Sequence, residues 1–301
     1  MFGNVHKMAN SKNKLKIVPL DFVVMAAILF FIAYVIYRVD SVLIYNWDWS
    51  VIPGYLFRWD EETSRFLPNL LIKGLITTVR ISVWALILST IIGVLLGIAR
   101  TSKLLLPRLV GWVYVEFIRN IPPVPFLFLF YFFISSQIIP HLEIRETLEG
   151  LSPGSLALFE LLIGPSNLVE NFISGVISLA LMSAAYIAEI VRAGIQSIPK
   201  GQTEAGYTVG LSSIKTLRYV ILPQAIQRVL PPLAGQFITL IKDSSLVALI
   251  SIQELSFLAM EIAISEQRFF EVWLTVGFMY FNVCFVCSLV FNRLEKRGAM
   301  Q

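Results

Sequence analysis

Five stretches of this chain run without a single Asp, Glu, Lys or Arg: Phe22–Tyr37, Ile81–Ala99, Asn120–Pro140, Asn171–Ala188 and Val272–Asn292. An α-helix needs about 20 mostly apolar residues to cross the hydrocarbon core of a bilayer. No water in that core can satisfy backbone N–H and C=O groups, so uncharged runs of this length read as spanning helices. A sixth run is interrupted: Val229–Ile241 and Ser244–Gln253 are uncharged, and Lys242-Asp243 divides them. It reads as one helix holding a charged pair rather than as a hairpin of two short helices. Composition agrees, with 56% hydrophobic and 15% charged residues among 301, where soluble domains carry about 25% charged. The length fits several spans with modest loops, but not a membrane domain plus a large soluble enzyme. The fold class expected is all-α and integral to the membrane.

Charge placement sets the orientation, because cytoplasmic loops carry an excess of Lys and Arg. Six spans with both termini in the cytoplasm gather the basic clusters on one side. These are Lys7, Lys12, Lys14 and Lys16, then Arg100, Lys103 and Arg108, then Arg192, Lys200, Lys215, Arg218 and Arg228, and finally Arg293, Lys296 and Arg297. The outer segments keep Arg38, Arg58, Arg65, Lys73, Arg145 and Arg268, and Arg80, Arg119 and Lys242 lie in or at spans. Five spans would put the last cluster outside. The first run reads as a retained helix rather than a signal peptide, since it is long for one and is followed by Arg38-Val39-Asp40. Two outer segments, 38–69 and 141–170, are long for plain connections. Within the second, Ser155–Ile163 reads as a short helix on the membrane surface.

Few side chains offer reaction chemistry. Cys284 and Cys287 sit in an apolar run, with no second pair and no nearby histidine, and read as small helix-packing residues. His6 and His141 are the only histidines. No metal or acid–base centre is expected, and the net charge of +4, placed on loops, does not point to nucleic acid. Gly93-Val-Leu-Leu-Gly97 is a spacing of small residues that lets helix backbones approach closely. The three prolines of Asn120–Pro125 suggest a kinked start to the third span, serving either as a pathway wall or as plain structure.

The segment between the fourth and fifth spans is different. Glu204–Pro223 reads EAGYTVGLSSIKTLRYVILP. After the turn Pro199-Lys200-Gly201, Gln202–Val209 suits a short helix and Gly210 suits its left-handed cap. Ser212 or Ser213 suits the start of a second helix. Pro223 stops that helix or marks a kink into the next span. Two capped helices on the cytoplasmic side make a docking knob.

This segment resembles the EAA loop of the permease subunits of ABC importers. Glu204, Ala205, Gly210, Leu222 and Pro223 match its pattern, while Gly206 and Val220 replace an Ala and an Ile. Other stretches resemble the polar amino-acid uptake permeases: Ala185–Ile198, Ile221–Ala225, Leu230–Leu233 and Gln236–Leu246. Phe117–Pro123, the extra N-terminal span and the long outer loops resemble the branch that imports a wide range of L-amino acids. The resemblance covers about Leu70 to Lys296. It implies a type I importer: residues 1–69 form the N-terminal tail, first span and outer loop, and 70–298 form a five-helix transmembrane domain with a coupling loop at 199–223. Pro199, Lys200, Gly201, Glu204, Ala205, Gly206, Gly210, Leu222 and Pro223 would couple to an ATPase dimer that holds ATP and Mg²⁺. The chain has no Gly-x-x-x-x-Gly-Lys-Ser/Thr loop of its own. The other implied partners are a second permease subunit, a paralogue or a copy, and an extracytoplasmic amino-acid-binding protein. The implied location is the prokaryotic plasma (inner) membrane, in contact with lipid.

Charges within the spans mark candidate pathway residues. Lys242 lies 14 residues beyond Arg228, which is about 21 Å along a helix. A lysine at the bilayer centre costs about 2.5–3.5 kcal/mol, so Lys242-Asp243-Ser244-Ser245 should avoid lipid. The pair contacts substrate or clamps helices together. Glu189 and Arg192 are three apart and suit a gate or a structural clip. Phe126 stands where related permeases often carry a Gln, so a substrate contact made there in relatives would be missing. An ion-coupled secondary carrier of amino acids would also explain spans and buried charges, but not the EAA loop.

Overall fold

In the computed structural model, residues 18–42 and 45–298 are described, and they divide into two units. The first unit, Met1–Trp47, holds α1 (Pro19–Val42), a helix long and apolar enough to span a membrane. The second unit, Asp48–Gln301, starts with the short α2 (Val51–Leu56) and a hairpin of β1 (Phe57–Asp60) and β2 (Arg65–Pro68). The helices α3 (Leu70–Thr101), α4 (Leu105–Asn120) and α5 (Pro123–Phe130) follow. A π-helical turn (Tyr131–Ser135), α6 (Ser136–Ile138), α7 (Ile144–Glu149) and α8 (Pro153–Leu162) come next. Then come α9 (Val169–Gln196), α10 (Lys200–Thr208), α11 (Ser213–Thr216), a second π-turn (Leu217–Ile221), α12 (Leu222–Asp243), α13 (Leu255–Glu266) and α14 (Phe269–Gly298). Among the described residues, six helical stretches are long and apolar enough to cross a membrane.

The described residues are mostly helical, as expected, and the two-stranded hairpin is an addition to that expectation. Asp60 makes the turn: its Oδ2 accepts the Thr63 N–H at 3.1 Å and the Thr63 hydroxyl at 2.5 Å. The strands are only four residues each, and the charges of Arg58, Asp60 and Arg65 hid them in the sequence. The prolines of the third span need correcting. Pro122 is the residue before the helix and Pro123 its first residue, where the missing N–H breaks no helical bond, so they open the helix instead of kinking it. The short helix expected at Ser155–Ile163 forms at Pro153–Leu162, capped by the Ser152 hydroxyl, which accepts the Ser155 N–H at 3.3 Å.

α9 is the most buried span and α3 lies beside it. The two run in the same direction, since Arg80 lies by Gly164 just before α9 and Arg100 meets Glu189 near its end. The small-residue face explains the closeness. A Cβ on Gly93 would lie 2.6 Å from Ile187, and one on Gly97 2.6 Å from Val191, so any larger residue would force the helices apart. One core joins Ile81, Ala85, Leu127, Leu179 and Val247, and a second joins Leu71, Leu255, Ile262 and Val272. Between α3, α13 and α14 a carboxylate is buried. Glu254 caps α13 by accepting the Phe257 N–H at 2.9 Å, and also accepts the hydroxyls of Thr78 at 3.0 Å and Tyr280 at 2.7 Å. Those donors offset the large cost of burying a carboxylate.

Candidate functional site

The polar segment after α9 folds as a knob of two short helices. α10 starts behind Pro199, whose carbonyl accepts the Gln202 N–H at 3.0 Å. It ends in a Schellman motif, with the Gly210 N–H on the Tyr207 carbonyl at 2.9 Å and the Leu211 N–H on the Gly206 carbonyl at 3.0 Å. Gly210 has φ +83°, the left-handed backbone that side chains resist. Ser212 stands at the start of α11, but its hydroxyl makes no cap bond; its carbonyl accepts the Thr216 N–H at 2.8 Å. Ser213 lies 3.3 Å from the Tyr207 hydroxyl instead.

Gly206 is buried against α11. A Cβ there would lie 2.6 Å from Thr216 Cγ2, so the knob closes on itself where the motif has Ala. Lys200, Gly201, Glu204 and Ala205 are exposed. In the same segment Val209 and Ile214 are 74% and 78% exposed, two apolar side chains that the rest of the knob leaves uncovered. The base of the knob is fixed: Ile198, Ile221 and Ala225 are buried together. Arg228 Nη1 donates to the Ser197 carbonyl at 2.5 Å, and Gln224 Nε2 donates to Gln202 Oε1 at 3.2 Å. The π-turn Leu217–Ile221 sits before Leu222 and Pro223. Pro223 has no N–H for the Tyr219 carbonyl, and its ring crowds that carbonyl, so the turn widens.

Along α12, Lys242 is exposed and Asp243 half-buried. Neither forms an ion pair among the described residues. The serines that follow bond back to the chain: buried Ser244 donates to the Ile241 carbonyl and Ser245 to the Lys242 carbonyl, each at 2.7 Å. α12 is tied to α9 by Gln236 Nε2 donating to Ser183 Oγ at 3.1 Å, and to α14 by Phe237 edge-on to Phe291 at 5.5 Å.

Glu189 lies in a cluster of three arginines. Arg192 donates to both of its carboxylate oxygens, from Nε at 3.1 Å and from Nη2; Arg100 donates at 2.5 Å, and Arg119 lies 3.9 Å away. The cluster joins α3, α4 and α9. The sequence counts Arg100 in a basic cluster and puts Arg119 at a span, but pairs Glu189 with Arg192 alone; only the packing of α3 and α4 on α9 brings the other two arginines to it. Phe126 is buried with Val115, Ile118 and Met182, its ring stacked on Phe130 at 6.2 Å. Phe126, Glu189 and Lys242-Asp243 thus lie in three different surroundings.

Comparison with known proteins agrees with this geometry. The family described as "Binding-protein-dependent transport system inner membrane component" matches residues 89–298. The glutamine transport system permease protein GlnP of Escherichia coli (strain K12) is 37% identical over 252 residues, covering 84% of this chain and 98% of the relative. The L-cystine transport system permease protein TcyB of Bacillus subtilis (strain 168) is 35% identical over 245 residues, covering 81% and 92%. Among solved structures, an amino acid ABC transporter with histidines superposes with a TM-score of 0.64 at 29% identity, covering 84% of this chain and all of that one. A chain of the inward-facing MetNI methionine ABC transporter shares the fold, with a TM-score of 0.56 at 19% identity over 76% of this chain and 96% of its own. The chain belongs to the family of binding-protein-dependent transport system inner membrane components, the permease subunits of ABC importers.

Proposed function

We propose that this chain forms half of the translocation pathway of an ATP-driven amino-acid importer. Its relatives, named as glutamine and cystine permeases, support the substrate class. A second permease subunit, a paralogue or a copy, completes the pathway. An extracytoplasmic binding protein delivers the amino acid, and a separate ATPase dimer holds ATP and Mg²⁺ and does the hydrolysis. The chain lies in the prokaryotic plasma membrane with both termini and the knob in the cytoplasm. Nothing in the comparisons supports the ion-coupled carrier.

The observation that carries this reading is the knob. It is rigid at its base, capped by a left-handed glycine, and presents Val209 and Ile214 bare in the same segment as Glu204. An exposed apolar patch rimmed by polar residues marks an interaction site. ATPase closure then pushes segment 199–223, and α9 and α12, which leave it in opposite directions along the chain, bias the pathway between its two open states. Lys242-Asp243 stands in the pathway wall, with its charges left for other helices or for substrate.

The test is made on the assembled, reconstituted transporter with Glu204→Lys and Gly210→Leu. Leucine at the left-handed position costs about 1–2 kcal/mol, which leaves the spans folded and misshapes the knob. Both variants are expected to insert normally and to lose substrate-stimulated ATP hydrolysis by about tenfold, the value of one charge-assisted contact. Unchanged stimulation and uptake in both would refute the coupling role.

A further inference from the structure

At the end of the bundle opposite the knob lies a cavity of about 720 Å³ that the coupling and pathway roles do not use. The hairpin, the first turns of α3, the segment after α8 and the segment before α13 surround it. Three cations line it: Arg58 from β1, and Lys73 and Arg80 from α3. None of them forms an ion pair among the described residues. The one acid in the wall, Glu160, already accepts the Ser166 N–H at 3.3 Å. The amides of Asn171 and Gln253 add neutral polar groups, and the rest of the wall is largely apolar, including Leu67, Ile163 and Phe172. Excess positive charge and a greasy wall together suit an anion carried on an apolar body.

The depth of the site narrows the choice. Arg80 is the last charge before the uncharged run Ile81–Ala99, so it stands where hydrocarbon gives way to headgroups. One turn further in, Trp84 is partly exposed and its Nε1 donates to the Leu162 carbonyl at 3.1 Å, the setting of an interfacial tryptophan. The hairpin alternates in the same sense. Arg58 and its partner Leu67 line the cavity, while the next pair, Trp59 and Phe66, lies edge-on at 5.0 Å and exposed on the other face.

We propose that this cavity binds the headgroup of an anionic phospholipid, with its phosphate on Arg80 and Lys73 and its acyl chains along the apolar wall. The shared chemistry, an anion next to an apolar surface, would also suit a free soluble phosphate, and the experiment separates the two. The proposal rests on the membrane placement given above. Its readout is lipid retention, which does not depend on coupling to an ATPase, so the two readings fail separately.

The full-length chain, with whatever subunits copurify, is held in mild detergent and offered phosphatidylglycerol or phosphatidylcholine, and bound lipid is counted by native mass spectrometry. The wild type is expected to retain phosphatidylglycerol over phosphatidylcholine, and Arg80→Gln to lower that retention about tenfold, the loss of one charge-assisted site. Lys73→Gln and Arg58→Gln should lower it less, and they decide the matter if Arg80→Gln does not assemble. Arg145→Gln, an exposed arginine 3.9 Å from Glu149, should change nothing. Soluble glycerol phosphate should fail to displace the lipid. Equal retention of both lipids, equal effects of the cavity variants and Arg145→Gln, or displacement by glycerol phosphate would overturn the proposal.

Discussion

At the scale of single residues, Gly206 shows how a motif position is set by its neighbour. Glycine in a helix costs about 1 kcal/mol relative to alanine, so Gly206→Ala should stabilise α10 if nothing stood nearby. Thr216 stands there, 2.6 Å from the added Cβ. Overpacking of this kind costs about 1–3 kcal/mol, so the single variant should be neutral to destabilising. Thr216 Oγ1 is itself buried without a hydrogen-bond partner among the described residues, so removing it sacrifices no bond seen there. Thr216→Ala should therefore rescue Gly206→Ala, with a coupling of about 1–2 kcal/mol between the sites. Hydrogen exchange of the amides of segment 200–216 in the full chain reads it; strictly additive effects would show that the contact does not matter.

At the scale of elements, the spans were legible because hydrophobicity is local, and a run without charges needs no knowledge of its surroundings. The knob was legible because its caps are local too: Pro199 and Gly210 mark the ends of α10 in the sequence as they do in the structure. What the sequence hid depends on partners far along the chain. α4 carries Arg108, Glu116 and Arg119 and reads as a loop until α3 and α9 are placed beside it. Glu254 reads as a loop charge until Thr78 and Tyr280 close over it. α3 begins eleven residues ahead of its uncharged run, because Lys73 and Arg80 line the cavity at its end instead of facing lipid. The charged pair of α12 was open to two readings, clamp or pathway. A clamp requires a partner, and breaking a buried ion pair costs about 3–5 kcal/mol. Asp243 has no ion-pair partner among the described residues, and the pathway reading proposed above is the one put to the test. Asp243→Asn is therefore expected to leave the yield of assembled complex near normal and to lower uptake about tenfold, the value of a charged hydrogen bond. A collapse of the yield, measured on the same preparation, would restore the clamp.

At the scale of the whole molecule, α3 and α9 run together from the cavity to the knob, so the second unit has two distinct ends. Ser152 caps α8 in the long segment that precedes α9, and Ser213 begins α11 in the knob. Single cysteines at these two positions should react with an impermeant reagent from opposite sides of intact cells, Ser152→Cys from outside and Ser213→Cys only after permeabilisation. Labelling of both from one side would refute the proposed orientation. The widened turn Leu217–Ile221 adds something that neither end contains. A π-turn holds one residue more than an α-turn and so acts as a phase shift: one residue is about 100° of helix rotation. The compass bearing of Val209 and Ile214 relative to the buried face of α12 is therefore fixed by a count of residues, not by the strength of any contact. Loss of one residue from this turn would keep every side chain of the knob and aim it at nothing.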